Sequence, residues 1–296
     1  MKNIGFIGIG VMGKSMAANL LKKGFSVCVY TRTKQKALPV IEQGAVWCDT
    51  IADCVKDKDA VITMVGYPKD VEEVYFGKEG ILENVKKGAY IIDMTTTSPK
   101  LSFKIYEEAK QRGVFALDAP VSGGDIAAEK GTLSIMVGGD KQVFDHCREI
   151  FEAMGENIIY QGKAGSGQHT KMANQIALAG VISGLCEAMV YGENVGLDLN
   201  TMLQSIGKGA AGSWQMEHMA PRILKGDFAP GFFIKHYVKD LNIAMQEAEA
   251  RGLVLNVLQV VRNTYETMEF AGDGDLGTQA LIQFYEDEQK RGTKNE

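Results

Sequence analysis

The chain of 296 residues is 45% hydrophobic and 23% charged, with a formal net charge of -5. That length admits two domains, and that makeup belongs to an ordinary soluble globular protein with a sizeable core. An acidic balance without clustered Lys and Arg excludes a nucleic-acid footprint, and five cysteines without C-x-x-C spacing exclude a disulfide framework or a zinc site and fit reduced core thiols.

The opening MKNIGFIGIGVMG is apolar, but four glycines break it and an amphipathic helix follows, so it does not read as a signal peptide and a cytoplasmic location is expected. Residues 3–9 suit a buried parallel strand. The loop Gly8-Ile9-Gly10-Val11-Met12-Gly13 follows at once, then a helical segment over 14–23 stopped by Gly24 and a second strand over 25–30. This is one βαβ unit with a right-handed crossover. A G-x-G-x-x-G run can be a plain strand-to-helix turn. Placed between strand and helix it predicts a dinucleotide loop, in which Gly8 makes the turn, Gly10 admits a pyrophosphate and Gly13 lets the helix pack closely.

The end of the second strand selects the coenzyme. An acidic residue there would favour NAD, whereas the chain has Thr31-Arg32-Thr33 with Lys34 and Lys36 following, so Arg32 is placed to fork onto a 2′-phosphate. NADP is preferred, with NAD possible; the alternative is that these cations only solvate a helix start. Further strands are predicted over 60–65, 90–94, 114–117, 133–137 and 158–160, with helices over 101–112 and 141–154 between them. That alternation predicts a doubly wound α/β sheet of the Rossmann type.

Two strand ends carry polar clusters. In Asp93-Met94-Thr95-Thr96-Thr97-Ser98-Pro99, Thr97 or Ser98 is expected to cap a helix, leaving Thr95 and Thr96 to face coenzyme or substrate. In Asp118-Ala119-Pro120-Val121-Ser122-Gly123-Gly124, one hydroxyl and consecutive small residues form either a plain turn or a nest of open N–H groups able to hold a carboxylate.

Beyond Gly165 every segment reads as helix, over 200–206, 213–224, 234–251, 254–270 and 276–288. A boundary is therefore expected near residue 164, with an NADP-binding domain over 1–164 and an all-α domain over 165–296 that closes the substrate cleft and forms oligomers. The stretch 162–195 opens the second domain. It has no Asp, Glu, Lys or Arg from Met172 to Cys186, which predicts an interdomain helix buried nearly all round. That run is shorter than the roughly 18 to 20 residues a bilayer needs, so no membrane span is expected. Lys171 stands at the threshold of the run, and Asn174 and Gln175 follow on the same helical face. The four histidines lack metal-ligand spacing, so no metal is expected.

The segments GFIGIGVMG, DMTTTSP, DAPVSGG, GKAGSGQHTKMANQ and FFIKHYVKDLNIA, in this order, strongly resemble the β-hydroxyacid dehydrogenases, which include 3-hydroxyisobutyrate dehydrogenase and tartronate semialdehyde reductase. The resemblance spans nearly the whole chain. It implies a Rossmann domain, a long interdomain helix, an all-α domain, and dimers or tetramers. It makes Lys171 the catalytic residue, Ser122, Gly123 and Gly124 the anchor for a substrate carboxylate, and Asn174 a positioner of substrate or lysine. Thr96 would touch the nicotinamide region, Lys239 and Asp240 would close the site, and Phe232 would line it. Gln175 stands where many members carry a second asparagine. The implied reaction interconverts a short 3-hydroxy acid and its semialdehyde, with Lys171 giving or taking the proton. The alternatives are a glyoxylate or succinic semialdehyde reductase, and a non-catalytic NADP-binding sensor or scaffold.

Overall fold

The computed structural model describes residues 1–292, which form two compact units that meet in sequence between Lys171 and Met172. The first is built on one sheet of strands β1 (Asn3–Ile7), β2 (Ser26–Tyr30), β3 (Val46–Trp47), β4 (Ala60–Thr63), β5 (Tyr90–Asp93), β6 (Phe115–Asp118), β7 (Val121–Ser122), β8 (Leu133–Gly139) and β9 (Gly155–Gly162). Their order is β3-β2-β1-β4-β5-β6-β8-β7, with β9 paired to β8. The pairs from β3 through β6 are all parallel, whereas β8 runs antiparallel to β6 and β7. Ile4, Phe6, Val61 and Ile62 are fully buried, as the uninterrupted apolar runs of strands covered on both faces require. The strand order reverses at β1, so β2 and β4 diverge from its carboxyl end, the place where open α/β sheets bind ligands.

The helices that matter for the site in this unit are α1 (Val11–Lys22), α2 (Pro68–Phe76), α3 (Pro99–Gln111) and α4 (Gly124–Lys130). Ser98 caps α3, its hydroxyl accepting from the Leu101 N–H. The doubly wound sheet is as expected. The strands β3 and β7 were not, because two residues are too few to show a period. The segment read as one helix over 141–154 is two, Lys141–His146 and Arg148–Glu152, separated at Cys147.

The second unit is helical throughout its described residues apart from a single bridge between Phe233 and Gly277. Its frame is α5 (Ser166–Asn194), α6 (Ile234–Glu249) and α7 (Asn256–Phe270). Ile182, Leu185, Cys186 and Met189 of α5 are buried in a core with Tyr237, Leu241, Leu258 and Tyr265.

One expectation about α5 is corrected. It is not buried all round, for Ala173, Ala177, Val181 and Gly184 are exposed along one face within a single chain. Absence of charge marks a face that avoids water, whether or not one chain can cover it. By length and composition alone α5 could span a membrane, though its other side packs into its own unit. The two compact units divide inside α5, after Lys171. Hydrogen bonds from its first turn, described next, tie that turn to the sheet.

Candidate active site

The glycine turn joins β1 to α1. Gly8 has φ +101°, and a Cβ there would run into the Met64 carbonyl. A Cβ on Gly13 would run into the Gly8 carbonyl and crowd Phe6, so Gly13 sets the close approach of α1 to β1. Gly10 differs, since a Cβ there would meet nothing within 4 Å. Its smallness serves no packing purpose inside the chain and leaves room for a ligand. The amino terminus of α1 has no side-chain cap and no acidic residue in its first turn, so its N–H groups and helix dipole suit a diphosphate. The turn thus fits a dinucleotide. Thr31, Arg32 and Thr33 end the adjacent strand; the Arg32 guanidinium is 76% exposed and lies 3.2 Å from the buried Asp70 carboxylate of α2.

Three separate segments meet at the first turn of α5. Asp118, at the end of β6, accepts hydrogen bonds from the Gly165 N–H at 2.8 Å and the Gln168 N–H at 2.9 Å. A carboxylate therefore caps the positive end of α5. Gly138 and Gly167 border that carboxylate so closely that neither has room for a Cβ. Gln168 is fully buried; its amide donates to the Thr95 carbonyl at 2.7 Å and accepts from the Thr97 N–H at 3.0 Å. The threonine segment, the Asp118 segment and the helix start are thereby one hydrogen-bonded assembly.

Lys171 projects from that turn. Its side chain is 7% exposed, and its Nζ donates to the Val121 carbonyl at 2.8 Å. The next residues are Ser122, Gly123 and Gly124, where φ is +127° at Gly123 and +69° at Gly124 as the chain turns into α4. Only glycine holds such angles cheaply. A Cβ on Gly124 would meet nothing, so its surface is open to a ligand. The expected catalytic lysine and the expected carboxylate anchor are brought together.

The second unit holds a polar chain of its own. Asn174 Nδ2 donates to Gln175 Oε1 at 2.8 Å, Gln175 Nε2 donates to Asp240 Oδ2 at 2.6 Å, and Lys239 Nζ lies 2.8 Å from Asp240 Oδ1. Tyr237 adds its hydroxyl to the Gln175 carbonyl. Gln175 and Asp240, both expected at the substrate, are 1% exposed and engaged with one another. The extra methylene of Gln175 is what reaches Asp240. Phe232 is half-buried against Tyr237.

Residues 3–162 match the family model described as the NAD binding domain of 6-phosphogluconate dehydrogenase, and residues 165–285 match that described as NAD-binding of NADP-dependent 3-hydroxyisobutyrate dehydrogenase. An uncharacterized oxidoreductase of Bacillus subtilis is 55% identical over 96% of this chain and 99% of its own. The 2-hydroxy-3-oxopropionate reductase of Escherichia coli is 38% identical over 96% of this chain and 97% of its own. The chain belongs to the β-hydroxyacid dehydrogenase family. A solved member, Mycobacterium tuberculosis 3-hydroxyisobutyrate dehydrogenase with L-serine, superposes with a TM-score of 0.86 at 30% identity, covering 96% of this chain and 98% of that one.

Thr95, expected with Thr96 to face coenzyme or substrate, is buried, and its hydroxyl accepts from the Val65 N–H at 3.0 Å after β4; Thr96 is half-buried. Asp118 as a helix cap, Gln168 as a clamp and Asp70 beside Arg32 were not foreseen. Each acts on a partner far away in sequence, so no spacing signals it. Among the described residues no group of His, Cys, Asp or Glu is arranged to hold a metal, and the five cysteines are free.

Proposed function

We propose that the chain is an NADP-preferring oxidoreductase that interconverts a short 3-hydroxy acid and its semialdehyde, of the 3-hydroxyisobutyrate or tartronate semialdehyde type. The observation that carries this reading is the Lys171 ammonium on the Val121 carbonyl, immediately before Ser122-Gly123-Gly124. A substrate carboxylate on the Ser122 hydroxyl and the open N–H groups of Gly123 and Gly124 would set its hydroxyl-bearing carbon beside Lys171. In reduction the ammonium stabilises the developing alkoxide and delivers a proton; in oxidation the neutral amine removes it. The glycine turn and Thr96 would hold the nicotinamide coenzyme, which would supply or accept the hydride. Asn174, one helical turn beyond Lys171, orients substrate or lysine. The L-serine in the Mycobacterium tuberculosis relative's structure, a carboxylate with a hydroxyl on its third carbon, supports this substrate class.

Arg32 supports NADP. Its contact with Asp70 is a solvent-exposed ion pair on the arginine side, worth little on its own, so the guanidinium is available to a 2′-phosphate. Assays with methylmalonate, tartronate and succinic semialdehydes are expected to show turnover favouring NADPH over NADH. Arg32→Asp should lower that preference by roughly 10- to 100-fold, the worth of a charge-assisted pair. Inactivity with all three aldehydes would remove the functional reading, and an unchanged coenzyme ratio in Arg32→Asp would remove the role of Arg32.

The apolar face of α5 fits a second copy of the chain. Ala173, Ala177, Val181 and Gly184 are exposed on it, and Gly180 abuts Val257 of α7, where Val257 and Val260 are 59% and 61% exposed. Exposed apolar patches of this kind mark association surfaces. Light scattering should report a dimer or tetramer for the native chain and a smaller species for Val257→Glu; a native monomer would refute this face as an interface.

A further inference from the structure

Asp93 and Asp118 end adjacent parallel strands in register, and they are 2% and 4% exposed. Asp93 Oδ1 accepts from the Thr63 hydroxyl at 2.8 Å and the Thr95 N–H at 3.1 Å, but its Oδ2 has no partner in the protein. The Ser102 hydroxyl of α3, 5% exposed, has none either. Both groups line a cavity of about 10 Å³ whose wall also includes Asp118, Tyr106 and Ala164, the residue just before Gly165. The described wall has no lysine, arginine or histidine.

We propose that this cavity binds one ordered water molecule, held by Asp93, Ser102 and Asp118, and that through it Asp93 acts as a positioning residue for the segments bearing Thr96 and Lys171. The positioning role rests on the functional reading above; the water site does not. The volume is that of about one water, and three polar groups are the number such a water satisfies. A buried oxygen left unmatched costs about as much as a lost hydrogen bond or more, so a solvent molecule is the economical completion of both Oδ2 and the Ser102 hydroxyl.

Water also suits a group that changes its protonation. Burial pushes the Asp93 carboxyl up to about 6. Below that pH, Asp93 donates its proton to the water; above it, the water turns and donates to the carboxylate. A fixed protein donor could serve only the ionised form. The titratable groups facing Asp93 are Tyr75 through Thr63, Tyr106 of α3, and Asp118. Burial raises all three, and the two tyrosines remain neutral through this range. At Asp118 two N–H groups of the helix start oppose the effect of burial. Ionising Asp93 then sets a buried negative charge beside the Asp118 carboxyl, and the repulsion bears on the Asp118 cap of α5.

A high-resolution crystal structure of the full chain is expected to show a single water peak within hydrogen-bond distance of all three side chains. A dry cavity, or a direct bond between Asp93 and Ser102, would overturn the water site. NADP dissociation, followed by tryptophan fluorescence without any substrate, should weaken by roughly fivefold as pH rises from 5 to 7, the scale of one hydrogen bond. Asp93→Asn keeps both bonds at Oδ1 and offers a donor to the water. It should bind NADP with a flat pH profile, while Ser102→Ala should retain the inflection near 6 with weaker binding throughout. An identical inflection in Asp93→Asn would overturn the positioning role. None of these readouts needs turnover, so an inactive enzyme would count against the functional reading alone.

Discussion

Lys171→Ala is expected to lower kcat/KM for semialdehyde reduction by roughly 10³- to 10⁴-fold, combining loss of a proton donor with loss of the charge that stabilises the alkoxide. NADPH binding should be nearly unchanged, because the Lys171 Nζ donates to the Val121 carbonyl, next to Ser122-Gly123-Gly124. Lys171→Arg tests the two roles separately. It keeps a cation but cannot release a proton near neutral pH, so it should recover part of the electrostatic contribution and little of the turnover. Steady-state kinetics at saturating NADPH measure both variants. Turnover in Lys171→Ala within tenfold of the native value would exclude this lysine as the proton donor.

Asp118→Ala should be the most damaging change that touches neither coenzyme nor substrate. It leaves the buried N–H groups of Gly165 and Gln168 without an acceptor, and opens space against Gly138 and Gly167. A loss of about 3 kcal/mol in unfolding free energy is expected, from two charge-assisted hydrogen bonds less the desolvation that burial already imposes on the carboxylate. Urea unfolding of the native chain and the variant measures it; a change below about 1 kcal/mol would show that the cap contributes little. Activity should fall as well, since the first turn of α5 carries Lys171.

The acid side of the stability profile follows from the neighbouring carboxyl. Asp93 holds its proton to about 6 in the folded chain and releases it near 3.9 when unfolded. Between those values the folded state binds more protons, so stability falls as pH rises, by on the order of 3 kcal/mol for a shift of about two units.

What was legible in the residues, and what was not, divides by range. The glycine turn and the apolar strands are local patterns, and each recurs in the structure where periodicity or spacing placed it. The clamp of Gln168 on Thr95 and Thr97, and the cap of Asp118 on Gly165, join positions far apart in the chain. Nothing local distinguishes a strand-end aspartate that caps a distant helix from one that faces solvent. The exposed stripe on α5 was misread for a related reason. An uncharged helix announces that its surface is shielded from water, but not whether its own chain or another does the shielding.

The chain from Lys239 through Asp240 and Gln175 to Asn174 has a direction. Because Asp240 accepts only, Gln175 must turn its NH₂ toward it, which leaves its oxygen to take the Asn174 NH₂. The Asn174 amide therefore presents its oxygen outward. A carbonyl oxygen brought to that spot meets a second acceptor, whereas an alcohol or an ammonium finds its complement. The polarity of one side chain is thus set by a carboxylate two links away.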